Sequence, residues 1–246
     1  MKSITYRILR NPISFEFMSL FVGAFYCLVY AVASIPSIML IRWGIWLGVD
    51  NFLLFIFIVI CFFAFYIFLI TSSIFVGFVE RLLSLGFKPG VYHPTSSVFF
   101  RWLIYSGLHL WTVNLVLPFL RGTNWLKMYL RICGAKIGKE VFLNTKDFYD
   151  AYLLEINDNV FIGGEAFINC HIFEGGHLVL GKIILGKGTA IGANAYLTPG
   201  TNTGKNSRIG MYTYLRRNTS LPDDGVLISM PGMSIRQIIK IMRDKL

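Results

Sequence analysis

Residues Leu185–Leu227 read LGKGTA-IGANAY-LTPGTN-TGKNSR-IGMYTY-LRRNTS-LPDDGV-L, and each group of six opens on an inward-type residue: Leu185, Ile191, Leu197, Thr203, Ile209, Leu215, Leu221 and Leu227. Glycine follows at Gly186, Gly192, Gly204 and Gly210, and four residues after each opening stand Thr189, Ala195, Thr201, Ser207, Thr213, Thr219 and Gly225. A helix repeats near 3.6 residues and a half-buried strand at 2, so neither explains a period of six. A six-residue period with small residues at a fixed offset is the mark of a solenoid. Each hexad is one face of a triangular coil, with the Ile or Leu on the axis and the small residue at the tight corner. Three faces make a coil of about 18 residues, so residues 137–230 hold about five coils. Ile156, Ile162 and Ile168 keep the same step upstream, and Ile137 and Leu143 begin it.

The register breaks twice. Leu143 to Ile156 is one residue more than two hexads, and Ile168 to Leu185 is one short of three. A solenoid carries its function where its repeat is interrupted, which directs attention to NTKDFYD (Asn144–Asp150) and NCHIFEGGHLVLGK (Asn169–Lys182).

The chain preceding the solenoid is of another kind. No charged residue stands between Glu16 and Arg42, or between Asp50 and Glu80. Each gap exceeds the roughly 20 residues that cross a bilayer as helix, and a mid-span charge costs about 2.5–3.5 kcal/mol. Two spans follow, near 17–41 and 51–79, joined as a hairpin, with Pro36 expected to kink the first. A cleaved signal is a poor alternative, because the first run is too long and a second span follows. Lys2, Arg7 and Arg10 precede the first span, while Arg81, Lys88 and Arg101 follow the second. The basic-residue rule then places both termini and the solenoid on the cytoplasmic side. The run WLIYSGLHLWTVNLVLPFL (102–120) also lacks full charges, but Tyr105, His109 and Thr112 make a polar stripe on it. The expectation for 91–135 is interfacial or re-entrant helices, with Trp102, Trp111 and Trp125 as anchors and a third crossing as the alternative.

Composition agrees with this division. Of 246 residues, 55% are apolar, 16% aromatic and only 15% charged, against about 25% charged in an average soluble domain. This argues against an ordinary cytosolic enzyme, and a disordered chain is excluded. Cys27, Cys61, Cys133 and Cys170 are far apart with no CxxC pair, so they read as small hydrophobes. The net charge of +10 asks for an anionic neighbour. No nucleic-acid module is present, and anionic lipid accounts for the charge. The tail SIRQIIKIMRDKL is an amphipathic helix, expected over 233–246.

The hexads resemble the hexapeptide-repeat, left-handed parallel β-helix acyltransferases. KPGVYHPTSSVFFRWLIYSGLH, LRGTNWLKMYLRICGAKIGKEVFLNTKDFYD and HIFEGG are further similar to the membrane-embedded C-terminal region of ε-poly-L-lysine synthetase and related peptide synthetase-like proteins. The resemblance covers roughly residues 80–230, and this sequence has no adenylation or carrier domain. The expected fold class is therefore membrane α + β. A transmembrane hairpin (1–90) and interfacial helices (91–135) precede a left-handed β-helix (136–232) and the C-terminal helix.

The resemblance implies acyl transfer. His171 matches the histidine of the family's His-hydrophobic-Phe-Glu motif and is the candidate general base, since an imidazole can take the proton of an attacking hydroxyl or amine. Glu174 is a candidate to orient the imidazole. Asp147 and Asp150 occupy the other register break, one coil away, where an Asp would hold His171 in one tautomer. Arg216 and Arg217, with Gly192 and Gly210 on the late coils, are candidates to contact coenzyme A. His177 lies six residues from His171, yet a zinc site of the kind found in related β-helix carbonic anhydrases needs three histidines. The third would have to be His93 or His109, both in the membrane-proximal segment, so no metal is expected.

The expected activity is transfer of an acetyl or aminoacyl group from a thioester to a hydroxyl or amine of an amphiphilic or lipid-linked acceptor. The thioester is coenzyme A or a phosphopantetheine carrier, with no tightly bound cofactor. Expected partners are membrane lipid, the acceptor, a carrier protein and other copies of the chain, a homotrimer by resemblance. The alternative is a non-catalytic membrane docking partner of a synthetase or carrier protein.

Overall fold

The computed structural model describes residues 12–46 and 51–228. Lys2, Arg7 and Arg10, the end of the last expected coil and the amphipathic tail lie outside the described residues.

Two long helices come first, α1 (Pro12–Trp46) and α2 (Asn51–Ser84). Both run past the expected spans, and Pro36 lies inside α1. They pack along each other, with the Thr71 hydroxyl of α2 2.8 Å from the Ala33 carbonyl of α1. Their stretches Leu20–Trp46 and Ile56–Ser84 are long and apolar enough to cross a bilayer. Phe21, Leu28, Met39, Phe62 and Phe63 point outward from them. The core helix of a water-soluble protein buries such side chains.

After the strand Gly90–Tyr92, α3 (Ser97–Leu115) begins at Ser96, whose hydroxyl accepts the Phe99 amide at 3.2 Å. The short α4 (Leu117–Leu120) takes Pro118 in its first turn, where a missing N–H costs nothing, and α5 (Asn124–Ile132) completes the helical layer. The polar stripe of α3 does not face an interface. Tyr105, His109 and Thr112 are at most 1% exposed, turned onto α2, α5 and the first coil, where each polar atom but the Tyr105 hydroxyl finds a partner. Trp102 is likewise no surface anchor but a buried residue, whereas Trp111 stays partly exposed beside the edge of Tyr26.

From Lys136 onward the chain winds into parallel sheets that fit a left-handed β-helix. One face is built from Lys136–Ile137, Leu154–Ile156, Ile183–Leu185, Asn202–Thr203 and Ser220–Leu221. A second is built from Phe142–Leu143, Phe161–Ile162, Ala190–Ile191, Arg208–Ile209 and Val226–Leu227. The third stacks Phe148–Tyr149, Phe167–Asn169 and Tyr196–Leu197, continued by a bridge from Tyr196 to Tyr214. Ile162, Ile168, Leu185, Ile191 and Leu197 fill the axis at 1% exposure or less, each contributing about 1.5–3 kcal/mol by burial. The small residues Thr189, Ala195, Thr201 and Ser207 are buried too, but the left-handed backbone of the corner falls one residue earlier. Gly188, Asn194, Gly200, Asn206, Tyr212, Asn218 and Asp224 all have positive φ, which Gly, Asn and Asp tolerate best.

Strand pairing explains both register breaks. Ile184 pairs with Asn202, 18 residues on. Ile137 pairs with Ile156, one residue more than a coil, and the surplus is taken up where a 3₁₀ turn, Ala151–Leu153, follows Asp150. Ile156 pairs with Leu185 across 29 residues, 29 − 18 = 11 more than a coil. The excess is an arm: strands His171–Glu174 and His177–Leu180 leave the coil as an antiparallel hairpin. Its turn is Gly175–Gly176, both at positive φ. The outer edge of the arm pairs with Gly90–Tyr92, and the Gly181 amide returns to the Cys170 carbonyl at 2.9 Å.

Candidate active site

The arm and the 3₁₀ turn meet against α3. Asp150, at φ 59° and ψ 52°, ends the edge strand Phe148–Tyr149 and turns its carboxylate under the arm. His171 is the arm's first residue and its backbone amide is held by Asn169 Oδ1 at 3.3 Å. Nδ1 of His171 lies 2.6 Å from Asp150 Oδ2. The other carboxylate oxygen, Oδ1, accepts the Trp102 indole N–H at 2.8 Å and the Tyr152 hydroxyl at 2.9 Å. Asp150 is 1% exposed, so both its oxygens are satisfied by donors out of water.

Burial pushes the Asp150 carboxyl up, but the His171 imidazole and the hydrogen bonds from His171, Trp102 and Tyr152 outweigh it and hold the group below its ordinary value. A carboxylate facing Nδ1 means that this nitrogen carries a proton, so in the neutral imidazole Nε2 presents its lone pair. Among the described residues Nε2 has no hydrogen-bond partner, and the side chain is 17% exposed. The Trp102 ring stands edge-on to the imidazole at 4.8 Å and Tyr149 at 6.2 Å, leaving the ring little freedom to turn. The arm is anchored on the same wall, since Phe173 meets Trp102 at 5.6 Å and Phe99 at 6.1 Å. The site can take a proton from a group arriving at Nε2 while a buried carboxylate balances the imidazolium.

No family model matches this sequence. It is 31% identical over 162 residues to the delta-poly-L-ornithine synthetase of Acinetobacter baumannii (strain AB307-0294), covering 65% of this chain and 12% of that protein. Among solved structures, a galactoside acetyltransferase in complex with coenzyme A superposes with a TM-score of 0.44 at 15% identity, over 63% of this chain and 87% of that one. A hexapeptide-repeat acetyltransferase from Vibrio cholerae O1 biovar eltor, complexed with acetyl coenzyme A, gives 0.41 at 13% identity, over 61% and 94%.

The stacked parallel strands sort the remaining candidates. Glu174 is no partner of His171; the strand carries it to the far end of the arm, where it pairs with Arg217 at 2.8 Å in solvent. Asp147 pairs with Lys146 at 3.1 Å, three residues before Asp150 on the same coil. Arg216 is exposed on the same late coil as Arg217. At Gly192 an added Cβ would collide with the backbone of Gly210 and Met211 on the next coil, so stacking alone demands glycine there; at Gly210 it would press on Ile228. His177 donates its Nδ1–H to the Gly175 carbonyl at 2.9 Å and meets the His93 ring edge-on at 5.2 Å. Trp102 and Tyr152 were not legible as site residues. Trp102 is marked only by sharing a helix face with Tyr105, His109 and Thr112, and Tyr152 only by following Asp150 by two.

Proposed function

We propose that this protein is an acyltransferase anchored in the membrane by α1 and α2, moving an acyl group from a thioester to an amphiphilic or lipid-linked acceptor. The observation that carries the reading is the 2.6 Å contact of His171 with a fully buried Asp150, beside an Nε2 that has no hydrogen-bond partner among the described residues. Nε2 of His171 takes the proton of the acceptor hydroxyl or amine as its oxygen or nitrogen attacks the thioester carbonyl. The tetrahedral intermediate collapses, the C–S bond breaks, and the imidazolium returns the proton to the departing thiolate. Asp150 holds the tautomer and offsets the transient charge. Arg216 and Arg217 supply guanidinium donors for the phosphates of the donor thiol, coenzyme A or a phosphopantetheine carrier.

The membrane assignment draws support from the large apolar side chains on the outward faces of α1 and α2. The basic residues Arg81, in the last turn of α2, and Lys88 and Arg101, which follow it, favour a cytoplasmic β-helix. The relative in Acinetobacter baumannii is a polyamino-acid synthetase, which favours an aminoacyl thioester and amide formation, although the present chain spans 12% of it. The homotrimer suggested by the resemblance belongs to the same proposal, and sedimentation of the detergent-solubilised protein checks it.

Thiol release tests the reading: protein in detergent, acetyl coenzyme A and native lipid extract, with wild type against His171→Ala. Lipid-dependent release that collapses in the variant supports acyl transfer with His171 as base. Equal release in both removes His171 from that role. Release from neither, with retention of a carrier protein on the immobilised chain, favours docking without catalysis.

A further inference from the structure

A second acid–histidine pair is buried where the helical layer meets the first coil. Glu80, near the end of α2, has no exposed surface. Its Oε1 accepts Thr112 Oγ1 at 3.1 Å, and its Oε2 lies 2.6 Å from the Tyr129 hydroxyl, 3.1 Å from His109 Nδ1 and 3.5 Å from Cys133 Sγ. Nε2 of His109 lies 2.7 Å from the carbonyl oxygen of Phe148, which can only accept, so Nε2 carries a proton. The Tyr129 proton is directed to Glu80, so Nδ1 faces acceptors as well. Donors and acceptors balance when His109 is an imidazolium and Glu80 a carboxylate.

The carbonyl that His109 holds belongs to the edge strand of the third face. Asp147 and Tyr149 direct their carbonyls to the amides of Ile168 and Cys170 on the next rung. The Phe148 carbonyl points the opposite way, off the end of the coil, where no strand follows among the described residues. His109 therefore fixes the peptide two residues before Asp150. The Tyr149 ring stands edge-on between the two histidines, 5.4 Å from His109 and 6.2 Å from His171. The titratable groups facing His109 are Glu80 from α2, Tyr105 from its own helix, Tyr129 and Cys133 from and after α5, and Tyr149 and Asp150 from the first coil.

We infer that Glu80 and His109 are positioning residues for the Asp150–His171 dyad, transmitting the seat of the long helix α2 to the site through the Phe148 carbonyl. The inference rests on the acyl-transfer reading for its kinetic consequence, though not for its structural one. Glu80→Gln removes the charge that keeps His109 doubly protonated while nearly preserving shape. Thr112→Val removes one hydrogen bond to Glu80 and the acceptor of the Tyr30 hydroxyl, and leaves the charge pair in place.

The test is imidazole nitrogen NMR of the full chain in lipid nanodiscs, over a pH series, alongside thiol-release kinetics. In Glu80→Gln the expected result is a moved His171 titration and tautomer signal, with kcat down about 10- to 100-fold and KM for the thioester little changed. Thr112→Val is expected to leave both near wild type. A His171 signal and kcat unmoved in Glu80→Gln overturn the inference, as does an equal change in Thr112→Val, which would mean general loosening. A wild type that releases no thiol, with His171 still moved by Glu80→Gln, sinks acyl transfer and keeps the positioning role. If Glu80→Gln does not fold, Tyr129→Phe removes the shortest bond to Glu80, and an unmoved His171 signal there overturns the inference.

Discussion

The carboxylate of Asp150 reaches Nδ1 of His171 at 2.6 Å across 21 residues of chain, because one coil of the β-helix stacks the two register breaks on the same face. Neither residue belongs to a regular hexad. The surplus residue near Asp150 turns the chain into a 3₁₀ turn, and the eleven-residue arm begins with His171, so the insertions supply the chemistry and the repeats supply the distance.

Asp150→Asn keeps the shape of the dyad but no longer selects the Nδ1–H tautomer. Thiol release is expected to fall by roughly 10²–10⁴-fold, close to the loss in His171→Ala. A drop of less than a factor of about three in Asp150→Asn would mean that the contact is structural only.

Trp102→Phe retains the ring wall against His171 and deletes one donor to a buried carboxylate. The expected cost is about 1–3 kcal/mol of stability, read from denaturant unfolding, together with a higher Asp150 pKa. Tyr152→Phe is expected to act in the same direction, since both donors serve Oδ1.

The dependence of stability on pH has two limbs. Asp150 is held below its ordinary value, so its contribution is complete above the unfolded carboxylate pKa and fades as the pH drops through the folded one. For His109 burial acts downward, but the charge and hydrogen bond of Glu80, with Asp150 and the Phe148 carbonyl, raise it above its ordinary 6.5. Its contribution is complete below 6.5 and is lost as the pH rises through the folded value. Thermal unfolding in detergent is expected to show highest stability between these limits. In Glu80→Gln the alkaline limb should flatten.

Glu174→Gln breaks an exposed pair with Arg217. It is expected to change stability by less than about 1 kcal/mol and to leave kcat near wild type. A collapse of kcat would restore the carboxylate to a role in the reaction that its position at the far end of the arm does not suggest.

Gly192→Ala is expected to destabilise the β-helix whether or not a thioester is present, because the new methyl meets the backbone of the next coil. Ile191→Ala, on the axis of the same coil, should cost about 2–5 kcal/mol through the cavity it leaves. Thermal unfolding with and without coenzyme A separates stacking from binding: ligand should shift wild type and both variants by the same increment.

The coil, the apolar helices and the two interruptions were legible in the sequence because each is a repetition or a composition, which any one segment displays by itself. The hexads from Leu185 to Leu227 require a coil, the charge-free runs require long apolar helices, and HIFE and NTKDFYD stand out by breaking step. What lay beyond reach was direction. Tyr105, His109 and Thr112 form a polar stripe whether it faces headgroups or a buried carboxylate, and only the packing of α3 on α2 and the first coil shows that it faces Glu80. Trp102 has the same identity as an interfacial anchor or as a donor to Asp150. Glu174 sits three residues from His171 in sequence, yet an extended strand carries it away, while a coil return brings Asp150 in. Periodicity depends on local backbone geometry and is written along the chain. The partner of a buried charge is decided by which surfaces meet when the chain closes on itself.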